Sequence, residues 1–473
     1  MGIFSGYRDK LFEKQFIKLL RNLEKSYGSD FYTKLLANVT NYPVYMPDDV
    51  NTYIKDGYLY NPTVYSVVSF IAQKAGAIPW GVYEVKNDKA LQLYKSASPN
   101  LSYFKKQAIK TKALVKIESH ELNDMFITPN ILQNWAEFFE QVVGFKLVTG
   151  NSYVHCIGPK NGNNAGKVKE LWTLPAQIIS IVAGDKGEPV KQYEMQGDRT
   201  LIIPAKEVIH LKYWTPNYSN GQFLYGVSPI QAGRRVVTKS NSSYDAMVSS
   251  FQHMGPPGIL SPDGTGDVTP FTDEQQEAIE QRFDRKTGAK RAGKPLITSI
   301  PIKWQQIGLS PADLTIIESD KMDLRTICNL YHVPSELFND AGNKTYSNTK
   351  EAGSAVYTNA VIPALSQFRD AINQFVKGRY EENIFIDFDV SMISELQDDL
   401  AMLSTALSSV WWLTPNEKRD MMSFGTDETN PLMDEYYIPA GFSPLARVMD
   451  EPEVQEEVIA EAEKLLNIKD YGK

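Results

Sequence analysis

At 473 residues the chain is long enough for about two to four domains, and 42% apolar with 22% charged residues is an ordinary globular balance. A net charge of -8 and a pI near 5.4 argue against tight wrapping of nucleic acid, whose affinity comes mainly from phosphate neutralisation, although an acidic protein can still let DNA pass. The two cysteines, Cys156 and Cys328, are too far apart to spell a disulfide framework or a zinc site; no apolar run reaches membrane-span length, and Gly6 stands where a myristoylation signal wants Ser or Thr, so a soluble chain without membrane anchor, metal or cofactor is expected.

Residues 8–27 read as an amphipathic helix, with Leu11, Phe12, Phe16, Leu19, Leu20 and Leu23 on one side and Lys10, Lys14, Lys18 and Arg21 on the other, docked at the periphery. A tyrosine-rich block contains a helix at 62–72 with a strong apolar stripe, and a strand at 81–85 follows. The polar, Lys- and Ser-rich stretch 86–112 reads as an insertion or mobile loop. A helix at 135–149 carries Phe138, Phe139, Val142, Val143 and Leu147, and leads into a turn and strand at 150–154. Short strands at 170–175, 178–182, 191–195 and 208–213, spaced by Gly, Asn and Asp turns, predict an antiparallel sheet. Residues 1–225 are therefore expected to form one α+β domain.

The stretch 226–333 organises the rest. Ser228-Pro229 offers an N-cap and a first-turn proline for a helix reaching Met254, before the Gly255-Pro256-Pro257-Gly258 stop. Ser310-Pro311-Ala312-Asp313 opens a second helix that ends at Val333-Pro334. Each would span about 35–40 Å. The first carries six polar residues in a row, Thr238 to Ser243, and the second alternates Leu314, Ile317, Leu324, Ile327 and Tyr331 with Asp313, Glu318, Asp320 and Asp323. Two readings stay open: amphipathic helices on a domain surface, or a pair lining an aqueous channel between subunits, with Lys239, Asn241, Glu318, Asp320 and Asp323 on the wet side.

The insert at 255–309 reads as a small α/β module, with a strand at 258–260, a helix opened by the Thr272-Asp273-Glu274-Gln275 capping box and ending at Gly288, and strands near 296–300 and 302–307. Between Arg282 and Lys303 seven basic residues stand against the single acid Asp284. Arg282, Arg285, Lys286, Lys290 and Arg291 form a basic face on an acidic protein, which suits a docking surface recognised partly by charge.

After Pro334 a polar loop at 339–346, with Gly342 and two asparagines, is expected to be mobile. A long helix over 347–380 should kink at Pro363, a strand follows at 384–388, and a helical region over 395–413 leads to a second capping box, Thr414-Pro415-Asn416-Glu417. The tail at 450–463 holds seven carboxylates and no base.

Catalytic signatures are missing: no P-loop, GxSxG or HExxH occurs, and the five histidines are isolated. Asp387-Phe388-Asp389 reads either as paired carboxylates holding two metal ions or, more simply, as the polar outer face of a sheet with Phe385 and Asp387 at an edge.

Ordered landmarks then carry a family resemblance: Pro129-Asn130 before Trp135-Ala136-Glu137-Phe138-Phe139; Gly150-Asn151-Ser152-Tyr153; Leu171-Trp172-Thr173-Leu174-Pro175; Val208-Ile209-His210-Leu211; and Tyr225-Gly226-Val227-Ser228-Pro229. Trp304 to Pro311, Tyr331-His332-Val333-Pro334, Tyr346-Ser347-Asn348 and Leu413 to Glu417 complete the order. From about residue 62 to 444 the chain resembles the compact portal proteins of tailed double-stranded DNA bacteriophages.

The resemblance implies an α+β portal fold with an α/β wing, a two-helix stem, a small α/β clip and a helical C-terminal crown. The wing would begin with 1–225; the stem helices would be 226–254 and 310–333, and the clip 255–309. A tunnel loop, kinked wing helix and strand would fill 334–395, and the crown with its acidic tail 396–473. Asn339, Asn343, Lys344, Thr345 and Tyr346 would then line the tunnel. Also implied are a homo-oligomeric ring, usually dodecameric, at one capsid vertex of a virion assembled in the host cytoplasm. Its partners would be the terminase large subunit, a head-tail connector or adaptor, and the major capsid and scaffold proteins. Double-stranded DNA would pass through without tight binding, and no enzymatic role is expected. The rival readings are a head-completion adaptor and a metal-dependent nucleic-acid enzyme using Asp387 and Asp389.

Overall fold

The computed structural model describes residues 45–437 apart from 98–102, 163, 186, 254–257, 263–271, 275, 278, 280, 282–301, 307–314, 341–345, 381–382, 392, 397–403, 406, 423–425 and 428. The expected N-terminal helix and acidic tail lie outside these residues. Past a helical turn at Val50–Thr52 that opens into a π-helix at Tyr53–Leu59 come α1 (Pro62–Gly76), β1 (Trp80–Val85), α2 (Asp88–Ser96), α3 (Tyr103–Ala113) and β2 (Leu114–Lys116). Then follow α4 (Trp135–Thr149), β3 (Asn151–Ile157), β4 (Glu170–Leu174), β5 (Ile179–Ala183), β6 (Val190–Met195), β7 (Leu201–Pro204) and β8 (Val208–Lys212). The remainder comprises α5 (Pro229–Ala232), α6 (Arg234–His253), β9 (Gly258–Pro262), β10 (Ile302–Gln306), α7 (Ile316–Leu330), α8 (Tyr346–Val356), α9 (Ile362–Val376), β11 (Ile384–Phe388) and α10 (Pro415–Met421).

The chain divides into two compact units, one of residues 1–65 with 228–330 and one of 66–227 with 331–473. The expectation of one domain over 1–225 is corrected here, because residues 46–61 hydrogen-bond to α6 instead of joining the sheets.

Among the described residues the larger unit holds three three-stranded sheets, in the orders β11-β1-β2, β4-β3-β8 and β5-β6-β7, every pair antiparallel, as the turn spacing implied for the strands between 170 and 213. The Trp80 ring is the hub of one core, with ring centroids of Trp135, Phe139, Phe368 and Phe388 between 5.3 and 5.8 Å away. Burying each phenylalanine contributes about 1.5–3 kcal/mol. α4 delivers two of these rings, and its start is set by a reciprocal cap: Asn134 Oδ1 accepts Glu137 N at 2.9 Å and Glu137 Oε2 accepts Asn134 N at 3.4 Å. Gly150, with φ 80°, ends that helix in the left-handed conformation and turns the chain into β3. A second core joins two sheets through Tyr153, Leu174, Ile179, Tyr193, Ile203 and Val208.

Where described, residues 86–112 are mostly helical instead of the expected loop. They hold α2 and α3, and Ala90, Leu91 and Tyr94 pack on Tyr83, Ala113, Leu114 and Phe385. Asn87 caps α2 by accepting Ala90 N at 3.1 Å. The expected long helix after the polar loop is α8 and α9 joined by a π-helical turn at Tyr357–Val361, just before Pro363. A proline can neither donate to residue i−4 nor tolerate its carbonyl, so the widened turn is the local solution. α9 then stops at Val376, short of the expected Tyr380, and Gly378 at φ 75° takes the left-handed position beyond it.

In the smaller unit the first expected column is broken into α5 and α6 at Gly233. A Cβ there would lie 2.3 Å from Leu330 Cδ1 at the end of α7, so any larger residue at 233 would have to push that side-chain end aside. The second column starts late. Thr315 has φ 47°, which no right-handed helix contains, and α7 begins after it. At 15 residues α7 is about 22 Å long, shorter than expected. β9 and β10 pair antiparallel, Leu260 opposite Trp304, and residues 273, 274, 276, 277, 279 and 281 are helical.

Candidate functional site

The polar belt of α6 has partners within its own unit. Asn61 caps α1 by accepting Val64 N at 3.0 Å, while its Nδ2 donates to Ser240 Oγ at 3.1 Å and to Asn241 Oδ1 at 2.9 Å. Asn241 Nδ2 donates to Asp56 O at 2.9 Å, and Thr238 Oγ1 accepts Met46 N at 3.2 Å. Tyr60 Oη donates to Asp245 Oδ1 at 2.6 Å. Thr238, Ser240 and Asn241 fit the helix because the preceding segment satisfies them, Ser243 Oγ donates back to Lys239 O at 2.9 Å, and Asn61 and Ser240 are buried.

Between α6 and α7, Lys239 Nζ reaches Asp323 Oδ1 at 2.6 Å and donates to Ser319 Oγ at 3.0 Å. Burial raises the Asp323 pKa above its ordinary range, against the pull of Lys239. Burial and then Asp320 hold the Tyr244 hydroxyl above its ordinary value. Of the expected wet face, then, Lys239 and Glu318 are exposed and Asp320 is half-buried. Asp323 is not a water-facing acid and Asn241 is engaged with Asn61 and Asp56. The exposed stripe of α7 is Glu318, Lys321, Met322, Arg325, Thr326 and Asn329, at the three- and four-residue spacing of one helix face. Asn61 was missed from sequence, although Asn61-Pro62 is itself a readable helix start.

In the expected tunnel loop, Ser335 Oγ donates to Asp340 Oδ2 at 2.9 Å and Asn339 takes φ 65°. Asn343, Lys344 and Thr345 lie outside the described residues, and Tyr346 opens α8. The basic residues Arg282, Arg285, Lys286, Lys290 and Arg291 also lie outside them.

Asp387 sits on β11, an edge strand as expected, but the polar outer face assigned to it is corrected: the residue is completely buried. Its Oδ2 lies 2.7 Å from Lys110 Nζ and accepts Tyr94 Oη at 2.9 Å, while Oδ1 lies 3.8 Å from Arg369 Nη1. Burial opposes the Lys110 charge, yet Asp387 outweighs it and the lysine pKa is raised. Asp389 turns elsewhere and accepts Ser391 N at 2.9 Å. A completely buried carboxylate paired with Lys110 and facing Arg369 is a poor ligand for two hydrated divalent cations, and the geometry is that of a buried ion pair linking α3, α9 and β11.

Over residues 62–422 the chain matches the family described as Phage portal protein. The chain belongs to the phage portal protein family. A protein of Rickettsia bellii (strain RML369-C) is 29% identical over 372 residues, which are 77% of this chain and 86% of that one. The portal protein of Enterobacteria phage HK97 is 22% identical over 320 residues, 66% of each. Among solved structures, the neck of an empty gene transfer agent particle computed with C6 symmetry superposes with a TM-score of 0.58 at 23% identity, covering 82% of this chain and 96% of that one. The neck of the native particle computed with C12 symmetry gives 0.56 at 22% identity, with 84% and 99% covered. At these identities the likeness is one of fold.

The portal landmarks of the sequence pair up in space. Pro129-Asn130 meets Leu171-Trp172: Leu171 N donates to Pro129 O at 2.8 Å and Asn130 Nδ2 to Leu171 O at 3.0 Å. Gly150-Asn151 meets Tyr225-Gly226: Asn151 Oδ1 accepts Gly226 N at 2.7 Å and lies 3.2 Å from His210 Nε2. A Cβ on Gly226 would stand 2.3 Å from Gly150 O and 2.7 Å from Tyr213 N, so the backbone closes on glycine alone. Burial, with Lys212 adding to it, pushes His210 down to about 3 and keeps it neutral in this junction.

Proposed function

We propose that the chain is the repeating subunit of a ring at one capsid vertex, the channel through which DNA is packaged and ejected and the dock for the packaging terminase and a head-tail connector. The observation that carries the reading is the portal-family match over 62–422, which takes in α5, α6 and α7 of the smaller unit and strands β1 to β8 and β11 of the larger one. The shared fold with necks computed at C6 and C12 symmetry favours a ring.

In this reading α6 and α7 are the stem, and their exposed stripes, with Lys239 and Glu318, face water in the channel. Mixed charge on that face and a net charge of -8 suit a bore that does not hold phosphates tightly. The insert 255–309 is the clip, with Arg282, Arg285, Lys286, Lys290 and Arg291 as its docking face. The loop carrying Asn339, Asn343, Lys344, Thr345 and Tyr346 narrows the tunnel, and 396–473 forms the crown. The role is structural, and assembly takes place in the host cytoplasm with capsid and scaffold proteins.

The test is a reconstituted prohead assay with and without the chain. DNA packaging that depends on its incorporation supports the reading; equal packaging in its absence contradicts it. Reversal of Arg285, Lys286 and Lys290 to Glu should leave rings intact and abolish terminase or connector binding.

A further inference from the structure

Two ordered segments of the larger unit hold large apolar side chains in water. The turn 127–132 leaves Ile131 87% and Leu132 75% exposed, with Ile127 exposed beside them. Its backbone is firmly built. Buried Asn130 donates to Gln133 Oε1 at 2.9 Å and accepts Leu132 N at 2.9 Å, and Ile127 O accepts Trp135 N at 3.2 Å. In the loop 214–223, Trp214 is 77% and Tyr218 70% exposed, and Tyr218 stacks on Phe223 with centroids 5.6 Å apart and planes 11° from parallel. Apolar groups displayed on fixed backbone mark surfaces that another surface covers, with aromatic anchors dominating the contact.

Their placement points to the occupant. In the sheet β4-β3-β8 the Leu171 N–H and C=O turn away from β3 toward Pro129 and Asn130, so the first patch lies on the outer edge of β4. Trp214 follows directly from β8, the opposite edge. Leu171 stands opposite Cys156 and Lys212 opposite Asn151. The patches therefore occupy diagonal corners, about 10 Å apart across the strands and about 17 Å along them. A head-to-tail repeat requires two unlike, complementary surfaces on opposite sides of each subunit, whereas a two-fold dimer uses one self-complementary patch.

We propose that the 127–132 turn of one copy packs against the 214–223 loop of the next, as the apolar anchor of the contact around the ring. This rests on the ring reading above. The test uses two double variants, Ile131→Glu with Leu132→Glu and Trp214→Glu with Tyr218→Glu, followed by size-exclusion with light scattering and by thermal unfolding. Each variant is expected to lose the ring peak and run as a folded monomer at concentrations where the unmodified chain is fully assembled. Mixed in equal amounts, each supplies the surface the other lacks, and heterodimers without rings should form. Rings from both variants overturn the inference and leave the ring reading standing, and monomers that stay monomers on mixing overturn the pairing of these two patches. A lowered unfolding temperature with unchanged assembly shows that the same chain covers the patch, and also overturns the inference. Absence of rings from the unmodified chain overturns both.

Discussion

Lys239 Nζ lies 2.6 Å from Asp323 Oδ1, with the lysine side chain 51% exposed and the carboxylate side chain 4% exposed. The pair ties α6 to α7, and the energetic burden falls on the acid, whose second oxygen has no hydrogen-bond partner among the described residues. Lys239→Ala is expected to destabilise the protein by about 1–3 kcal/mol, mostly the cost of a stranded buried charge, since water screens the exposed ammonium. Because the folded-state pKa of Asp323 is raised, its contribution to stability is fully present below the unfolded carboxylate pKa and lost as pH rises through the folded one. The penalty of Lys239→Ala should therefore shrink on acidification, and denaturant titrations of both proteins across the acid range check it. A penalty that is flat or grows toward low pH contradicts the assignment.

Asp387→Ala leaves Lys110 buried without its counter-ion, while Arg369 keeps Asp370 at 2.9 Å, and is expected to cost about 3–5 kcal/mol, read as a lowered unfolding midpoint. Mg²⁺ or Mn²⁺ should leave the unfolding temperature of the unmodified protein unchanged. Metal-dependent stabilisation that disappears in Asp387→Asn would instead restore the nuclease-type reading.

His210 stacks on Tyr153 with ring centroids 4.4 Å apart and carries a pKa held down at about 3 by burial and by Lys212. A depressed pKa gives stability that is present above the unfolded value and is lost as pH falls toward the folded one. Between roughly pH 6 and 4, His210→Gln should remove about one proton's worth of slope, about 1.4 kcal/mol per pH unit, from stability against pH. Equal slopes for the two proteins would place the acid sensitivity elsewhere.

What was legible in the sequence was local. Trp135 to Thr149, the strand at 384–388 and the cap at Thr414, where Glu417 N donates to Thr414 Oγ1 at 3.2 Å, all follow from spacing and capping chemistry. What was not legible is set by distant partners. Ser240 looks out of place on a helix until Asn61, 179 positions away, supplies its hydrogen bond. Asp387 reads as a surface carboxylate until Lys110 and Arg369 arrive from other elements. The lysines of 86–112 mask Leu91 and Tyr94, whose helical spacing buries one face. Thr315 stands just before α7 at a backbone angle that threonine does not favour alone, and no pattern of side chains announces it.

For the proposed tunnel loop, replacing residues 342–345 by a two-residue turn is expected to preserve ring assembly and prohead incorporation while reducing DNA packaging or retention. Packaging and retention at the unmodified level in reconstituted proheads would show that the constriction lies elsewhere.

The central claim is that this chain closes into a ring around an open channel. Electron microscopy of the purified, unmodified protein tests it most directly. Class averages showing rings with a central hole and a cyclic repeat are the expected result. Compact monomers or closed two-fold dimers, at concentrations where the protein is folded and soluble, would contradict it.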